Sequence, residues 1–276
     1  MTPFVPDPRN RDFVFPDRPT DGLTYLSPDQ VQQFNEAGYI KLPKALGPEW
    51  LQRLMADIDP IEAGIGDTTL NLEGGRSFRY KADAISFARN LVVHSKAVRD
   101  LVTSPLFAAI GHDLIGPDLR LYWDQAVYKK PEKARIFPWH QDNGYTFTDP
   151  QPYITCWIAL NDATRDNGCP WILPGIHRLG TLIHDSTPDG IRLRGADQPQ
   201  IEDTAICVPA KAGDMVIFSS LTPHKTGANI SNGIRKALII QLMPDGLCFI
   251  EEDGKRIVKN DPVLNMLIPA HDKARA

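Results

Sequence analysis

The hydrophobic period of this chain changes once, near Leu119, and that change limits the folds open to it. Before it the signals are helical. Ser27-Pro28-Asp29-Gln30 offers an N-cap, a proline at the first helical position and a capping-box glutamine. Val31 and Phe34 supply an apolar stripe behind it, and Gly38 supplies a stop. Residues 39–42 read as a short strand, and Trp50, Leu51, Leu54, Met55 and Ile58 recur at helical spacing. Residues 67–75 form a polar loop, and Ser104-Pro105 opens a further helix that Gly116 closes. After it the pattern is that of strands. Residues 119–130 alternate and are rich in aromatic and β-branched side chains. Shorter strands are expected at 153–160, 171–173, 206–209, 215–218 and 237–242, with Gly and Pro between them, and Glu252-Asp253-Gly254-Lys255 turns a late hairpin. Helices first and short strands later predict an α+β chain, mainly β, whose strand half closes into a sandwich or barrel, a jelly roll being one solution.

The 276 residues suit an irregular arm over 1–24 and a single domain over 25–276. A net charge of −4 gives no electrostatic case for a nucleic acid or an anionic membrane as partner. No run approaches the roughly 18 apolar residues of a membrane helix. Residues 1–18 are polar, carry four prolines and lack the apolar core of a signal peptide, so a cytoplasmic location is expected. Cys156, Cys169, Cys207 and Cys248 match neither a CxxC zinc pattern nor a disulfide scaffold and read as buried, reduced thiols.

The residues with chemistry all lie in the strand half. On a strand, positions i and i+2 share a face, so His140 and Asp142 can reach one ion while Gln141 points away. His224 lies 82 residues after Asp142, just past an apolar strand that Gly213-Asp214 introduces, and a jelly roll would bring it across to them. Two histidines and one carboxylate are the ligand set of non-haem Fe(II) oxygenases. Zinc remains open on these residues alone, and with it a zinc-dependent hydrolase on a similar barrel or a catalytically silent binding protein. His94, His112, His177, His184 and His271 have no such companions and read as structural or surface residues. Arg235 begins the strand after the Asn232-Gly233 turn and heads into an apolar run. A buried guanidinium needs an anion, and a dicarboxylate cosubstrate would supply one.

With these motifs the chain resembles the phytanoyl-CoA dioxygenase family of Fe(II)/2-oxoglutarate oxygenases over nearly its whole length. The matching stretches are Leu26 to Gln30 with Phe34 and Gly38-Tyr39, then Pro138 to Asp142, Cys156 to Thr164, Asn167 to Pro170 and Pro174 to Arg178, and finally Gly213-Asp214, His224 and Asn229 to Ala237. The resemblance implies a double-stranded β-helix, a cupin-like jelly roll, with the N-terminal helices packed outside. It implies Fe(II), 2-oxoglutarate and O2, with hydroxylation of a small-molecule substrate and release of succinate and CO2. Residue by residue, it makes His140, Asp142 and His224 the iron ligands and Arg235 the partner of the cosubstrate's distal carboxylate. Thr226 would support that carboxylate and Trp157 would line the pocket. Lys81 would lie near the cosubstrate's other end, and Gln125 on the strand facing it. Substrate-facing candidates are Trp123, Tyr145, Trp171 and Arg79. Asn161 departs from an acidic residue usual in the family, and Trp171 from a small aliphatic one. Asp142 argues against the halogenating relatives, which carry a small residue in place of the carboxylate. Residues 180–204 look like a long insert, either a lid or a solvated loop. No oligomeric state is implied.

Overall fold

The structure is a computed structural model that describes residues 3–71, 77–80, 82, 84–187 and 190–269. The first helix, Pro28–Ala37, begins as its sequence dictates. Ser27 accepts a hydrogen bond from the Gln30 amide, and the Gln30 side chain accepts one from the Ser27 amide. Such a cap stabilises a helix by about 1 kcal/mol. Gly38 ends the helix at φ 79°, a conformation that favours glycine.

A seven-stranded sheet forms the centre. Its order is Tyr39–Leu42, Met215–Ser219, Ile154–Ala159, Arg235–Pro244, Leu119–Lys129 and Leu267–Ile268, with Ile85–Arg89 also paired to Leu119–Lys129. A smaller sheet runs Ile206–Cys207, Pro170–Ile172, His224–Thr226, Phe137–His140. Alternation decides what each face of the large sheet meets. Cys156, Ile158, Leu238 and Ile240 pack in one cluster with helical residues that include Phe34, Leu54, Leu101 and Phe107. Trp157, Ala159, Phe218 and Ala237 turn the other way and meet Cys169, Ile172 and Val208. The result is a mainly β jelly roll with helices packed on its outer face, as expected. Among the described residues no helix is long and apolar enough to cross a membrane.

One irregularity sets which residues face inward. Between Arg235–Pro244 and Leu119–Lys129, Gln241 pairs with Trp123 and Leu242 with Leu121, so Tyr122 is an extra residue. A bulge of this kind shifts the inside–outside phase of a strand by one residue. Leu119 and Leu121 face the helices before it, and Ala126 and Tyr128 face them after it. Trp123, Gln125, Val127 and Lys129 are thereby turned into the interior of the jelly roll.

Residues 180–204 are not one long loop. They hold a hairpin, His184–Thr187 with Gly190–Leu193, and a short helix, Pro199–Thr204. Ile191 of the hairpin packs with Phe87, Val127 and Phe137. The N-terminal residues lie against the body: Pro6 bridges Leu182, and Phe4 and Phe15 are buried. All four cysteines are free, with Cys169 and Cys207 sulfurs 3.3 Å apart.

Candidate metal centre

His140 and His224 lie directly opposite each other on paired antiparallel strands. Asp142 follows the first of these strands at the start of a 3-10 turn, Asp142–Gly144. Gln141 between them keeps an extended backbone, so the side chains of His140 and Asp142 emerge on one side although the strand itself has ended. The Gln141 side chain points away, donating to the Gly180 and Leu221 carbonyls and accepting from the Leu182 amide. Ligand atoms of His140, Asp142 and His224 all lie within 4.8 Å of one another. Asp142 Oδ1 is 3.8 Å from His140 Nε2 and 3.6 Å from His224 Nε2.

Each of these groups is oriented by a neighbour. His140 Nδ1 lies 2.9 Å from the Pro138 carbonyl, and His224 Nδ1 lies 3.0 Å from the Thr222 carbonyl. A carbonyl only accepts, so Nδ1 carries the proton and Nε2 presents its lone pair to the shared centre. Asp142 Oδ2 accepts from Thr155 Oγ1 and, at 2.9 Å, from Gln241 Nε2. Thr155 and Gln241 face each other across their strands, and that register leaves Oδ1 turned toward the two imidazoles. Burial, and then the adjacent His224, pushes the His140 imidazole down to about 3, and burial pushes His224 down to about 4. Both rings are therefore neutral at physiological pH, the form in which histidine binds metal. Burial raises the Asp142 carboxyl above its ordinary value. A cation between the three groups would compensate that cost.

Arg235 is the second element of the site. It is fully buried, and none of its three guanidinium nitrogens has a hydrogen-bond partner among the described residues. Its guanidinium carbon sits 5.4 Å from the Trp157 ring centroid, and burial pushes its pKa down to about 10. Directly across the strand pair lies Lys129, also buried. Lys129 Nζ donates to the carbonyls of Arg135, Thr226 and Gly227, and burial, then Arg235, pushes it down to about 6. The chain closes tightly here. A Cβ on Gly168, whose φ is +92°, would stand 2.6 Å from the Gly227 carbonyl oxygen and 3.0 Å from Lys129 Cδ. Asn229 locks the following turn, donating to the carbonyls of Lys129 and Gly233 at 2.8 Å each.

A cavity joins the two elements. Among the expected site residues, His140, Asp142, His224, Arg235, Thr226, Trp157, Gln125, Trp123 and Tyr145 all line it. Trp171 does not. It pairs across its strand with Lys225, the residue after His224, and so shares the outward face. Its ring carries Lys225 Nζ at 5.3 Å and the Arg165 guanidinium at 4.9 Å. The expectation that Trp171 faces substrate is corrected accordingly. Lys81 lies outside the described residues, as does the side chain of Arg79. Thr155, Gln241 and Lys129 went unread in the sequence. His184, read from the sequence as a structural or surface residue, accepts from the Gln141 amide at 2.9 Å through Nε2.

A family model, phytanoyl-CoA dioxygenase (PhyH), matches residues 34–237. The chain belongs to the phytanoyl-CoA dioxygenase family. This family member is a non-haem iron dioxygenase. It is similar to a methylphosphonate hydroxylase of Gimesia maris, 30% identical over 220 residues that span 79% of this chain and 80% of that protein. A phytanoyl-CoA dioxygenase of Arabidopsis thaliana is 28% identical over 257 residues, 91% of this chain and 76% of its own. Two solved structures share the fold. The epimerase SnoN, in complex with Fe3+, alpha ketoglutarate and nogalamycin RO, has a TM-score of 0.67 and 20% identity over 82% of this chain and 86% of that one. EctD from S. alaskensis, with 2-oxoglutarate and 5-hydroxyectoine, has a TM-score of 0.69 and 17% identity over 95% and 90%. The donor set of this family member, two neutral imidazoles and a carboxylate, suits Fe(II), and Arg235, without a hydrogen-bond partner among the described residues, suits a carboxylate of 2-oxoglutarate.

Proposed function

We propose that this chain hydroxylates a small-molecule substrate, using Fe(II), 2-oxoglutarate and O2 and releasing succinate and CO2. The observation that carries this reading is Arg235, a fully buried guanidinium without a hydrogen-bond partner among the described residues, on the wall of the cavity that holds the His140–Asp142–His224 cluster. Leaving such a group unpaired costs several kcal/mol, and a dicarboxylate cosubstrate removes that cost.

When bound, iron and 2-oxoglutarate supply oxidative decarboxylation and oxidation of a C–H bond, one oxygen atom of O2 entering the product alcohol and the other succinate. The chain holds and orients. His140 Nε2, His224 Nε2 and Asp142 Oδ1 would hold the metal from one side, leaving its remaining positions toward the cavity. Arg235 would take the distal carboxylate with its planar fork. Thr226 would support the same carboxylate from the strand that carries His224, its carbonyl held by Lys129. Trp157 packs beside the guanidinium and keeps water from it. Gln125, Trp123 and Tyr145 line the same cavity, and the latter two would face substrate. Four free cysteines support a reducing compartment, the cytoplasm.

The test is anaerobic addition of Fe(II) and 2-oxoglutarate, followed by succinate release on admitting O2. A visible charge-transfer band that Asp142→Ala abolishes and Arg235→Ala weakens is the expected result. Bound zinc, with hydrolysis that ignores 2-oxoglutarate, would overturn the reading.

A further inference from the structure

The peptide that follows His140 is held from outside its own sheet. Phe137–His140 is the last strand in the order of that sheet, so the backbone continuing past it needs hydrogen-bond partners from elsewhere. The Gln141 amide finds one in His184 Nε2, at 2.9 Å. His184 Nδ1 lies 2.8 Å from the Leu182 carbonyl, which only accepts, so Nδ1 carries the proton and Nε2 is the acceptor. This is the tautomer that His140 and His224 adopt, except that the third ring turns its Nε2 to a backbone amide. The fit is close. A Cβ on Gly144 would fall within contact distance of three atoms of the His184 ring, so the turn Asp142–Gly144 lies directly against it.

His184 is itself braced on two sides. Toward the metal centre, Gln141 bonds the Gly180 carbonyl and the Leu182 amide through its side chain, and Asn143 Nδ2 donates to Thr181 Oγ1. On the far side the N-terminal arm straps the same segment. The Asp7 amide donates to the Thr181 carbonyl and the Ile183 amide to the Val5 carbonyl, both at 2.8 Å, and Asn10 Nδ2 donates to the Leu179 and Thr181 carbonyls. A fixed acceptor fixes the peptide it holds, and this peptide sets the aim of two ligands. It leads into the extended Gln141 backbone, φ −104° and ψ 144°, that puts the His140 and Asp142 side chains on one side. Rotation of its plane would turn the two side chains apart.

We infer that His184 is a positioning residue of the metal centre: by accepting from the Gln141 amide it fixes the angle between His140 and Asp142, and with it the geometry of a bound metal. This deepens the oxygenase reading above and rests on it for the presence of a metal at the three ligands. His184 acts through Gln141 and touches neither cosubstrate nor substrate in this role. It belongs to the outer partners that orient ligands, whose loss weakens a metal site without removing a donor.

Co(II), whose visible ligand-field bands report coordination geometry, tests it alongside anaerobic Fe(II) titration and thermal melts of the metal-free protein. His184→Leu removes the acceptor. His184→Gln offers Oε1 near the place of Nε2. Ile191→Ala loosens the same hairpin where it packs with Phe87, Val127 and Phe137, and leaves the bond to Gln141 intact. His184→Leu is expected to bind both ions about tenfold more weakly and to shift the Co(II) bands. His184→Gln should restore most of the affinity and the parent bands, whereas Ile191→Ala should lower the melting midpoint and leave both metal readouts unchanged. Should His184→Leu fail to fold, His184→Asn, polar but too short to reach the amide, takes its place with the same expectations. Three results overturn this inference alone: parent affinity and unshifted bands in the variant without the acceptor, no rescue by glutamine, or an equal loss of metal in Ile191→Ala. A parent protein that binds neither ion overturns the oxygenase reading and this inference with it.

Discussion

The imidazoles of His140 and His224 stand 4.2 Å apart, centroid to centroid, because their residues are directly paired in antiparallel register. A single strand pairing thus closes a separation of more than eighty residues in sequence. With both Nδ1 protons committed to main-chain carbonyls, neither ring can turn to another role. His140→Ala and His224→Ala should each abolish stoichiometric Fe(II) binding, measured by metal analysis after gel filtration, while leaving the circular dichroism of the sheet unchanged.

Gln241 and Thr155 hold Oδ2 of Asp142, the oxygen other than the one facing the two imidazoles. Partners of this kind typically contribute 10–100-fold in metal affinity. Gln241→Leu, which keeps volume and removes the donor, is expected to weaken Fe(II) binding by about that factor. Titration calorimetry under anaerobic conditions checks it, and an unchanged affinity would show that Thr155 alone suffices.

Arg235 divides stability from function. Its guanidinium is buried and, among the described residues, unpaired, so Arg235→Met should be at least as stable as the parent protein in the absence of added 2-oxoglutarate. The same change would remove the bidentate charged pair proposed with the cosubstrate, and KM for 2-oxoglutarate should rise about 100-fold or more. Thermal melts make the contrast visible: saturating 2-oxoglutarate raises the midpoint of the parent and leaves that of the variant unmoved.

The metal-free protein should lose stability as pH falls below about 6.5. Folding holds His140 down at about 3 and His224 at about 4, so between those values and the ordinary histidine value the unfolded chain binds more protons. Stability is then fully present above the unfolded value and declines on acidification, by about 1.4 kcal/mol per pH unit for each such histidine. His177, held at about 4 mainly by burial, adds a slope of the same sign, as does Lys129 above about pH 6, while Asp124, raised by burial to about 6, and the raised Asp142 oppose it from the ordinary carboxylate value upward. Urea unfolding from pH 7 to pH 5 should show a shallower slope in His224→Gln than in the parent, and Fe(II) should stabilise the parent most at the upper end.

Trp171 and Tyr145 provide an internal comparison. Tyr145 lines the cavity edge-on to His140, and Trp171 lies on the outer face under Lys225 and Arg165. Trp171→Phe should leave turnover and KM for both substrates unchanged. Tyr145→Ala should raise KM for the organic substrate and increase succinate release uncoupled from product, measured side by side.

The sequence by itself determined the residue types and their local order. His140 and Asp142 flank a single extended residue, Arg235 opens an apolar strand, and Ser27 and Gln30 cap a helix, because each of these depends on contacts between near neighbours in the chain. Short apolar runs at 153–160 and 237–242, set off by Gly and Pro, were enough to anticipate buried strands and so the jelly roll. Only the tertiary structure decided what stands opposite what. Lys129 meets Arg235, and Thr155 meets Gln241, through cross-strand register, which no local pattern encodes. The extra residue at Tyr122 reverses the facing of its strand, so alternation alone assigns half of 119–130 to the wrong side. Trp171 was drawn toward the cavity by its place in a motif and kept from it by its pairing with Lys225. Register follows from long-range packing of the two sheets, and it is register that turned a set of suitable side chains into one site.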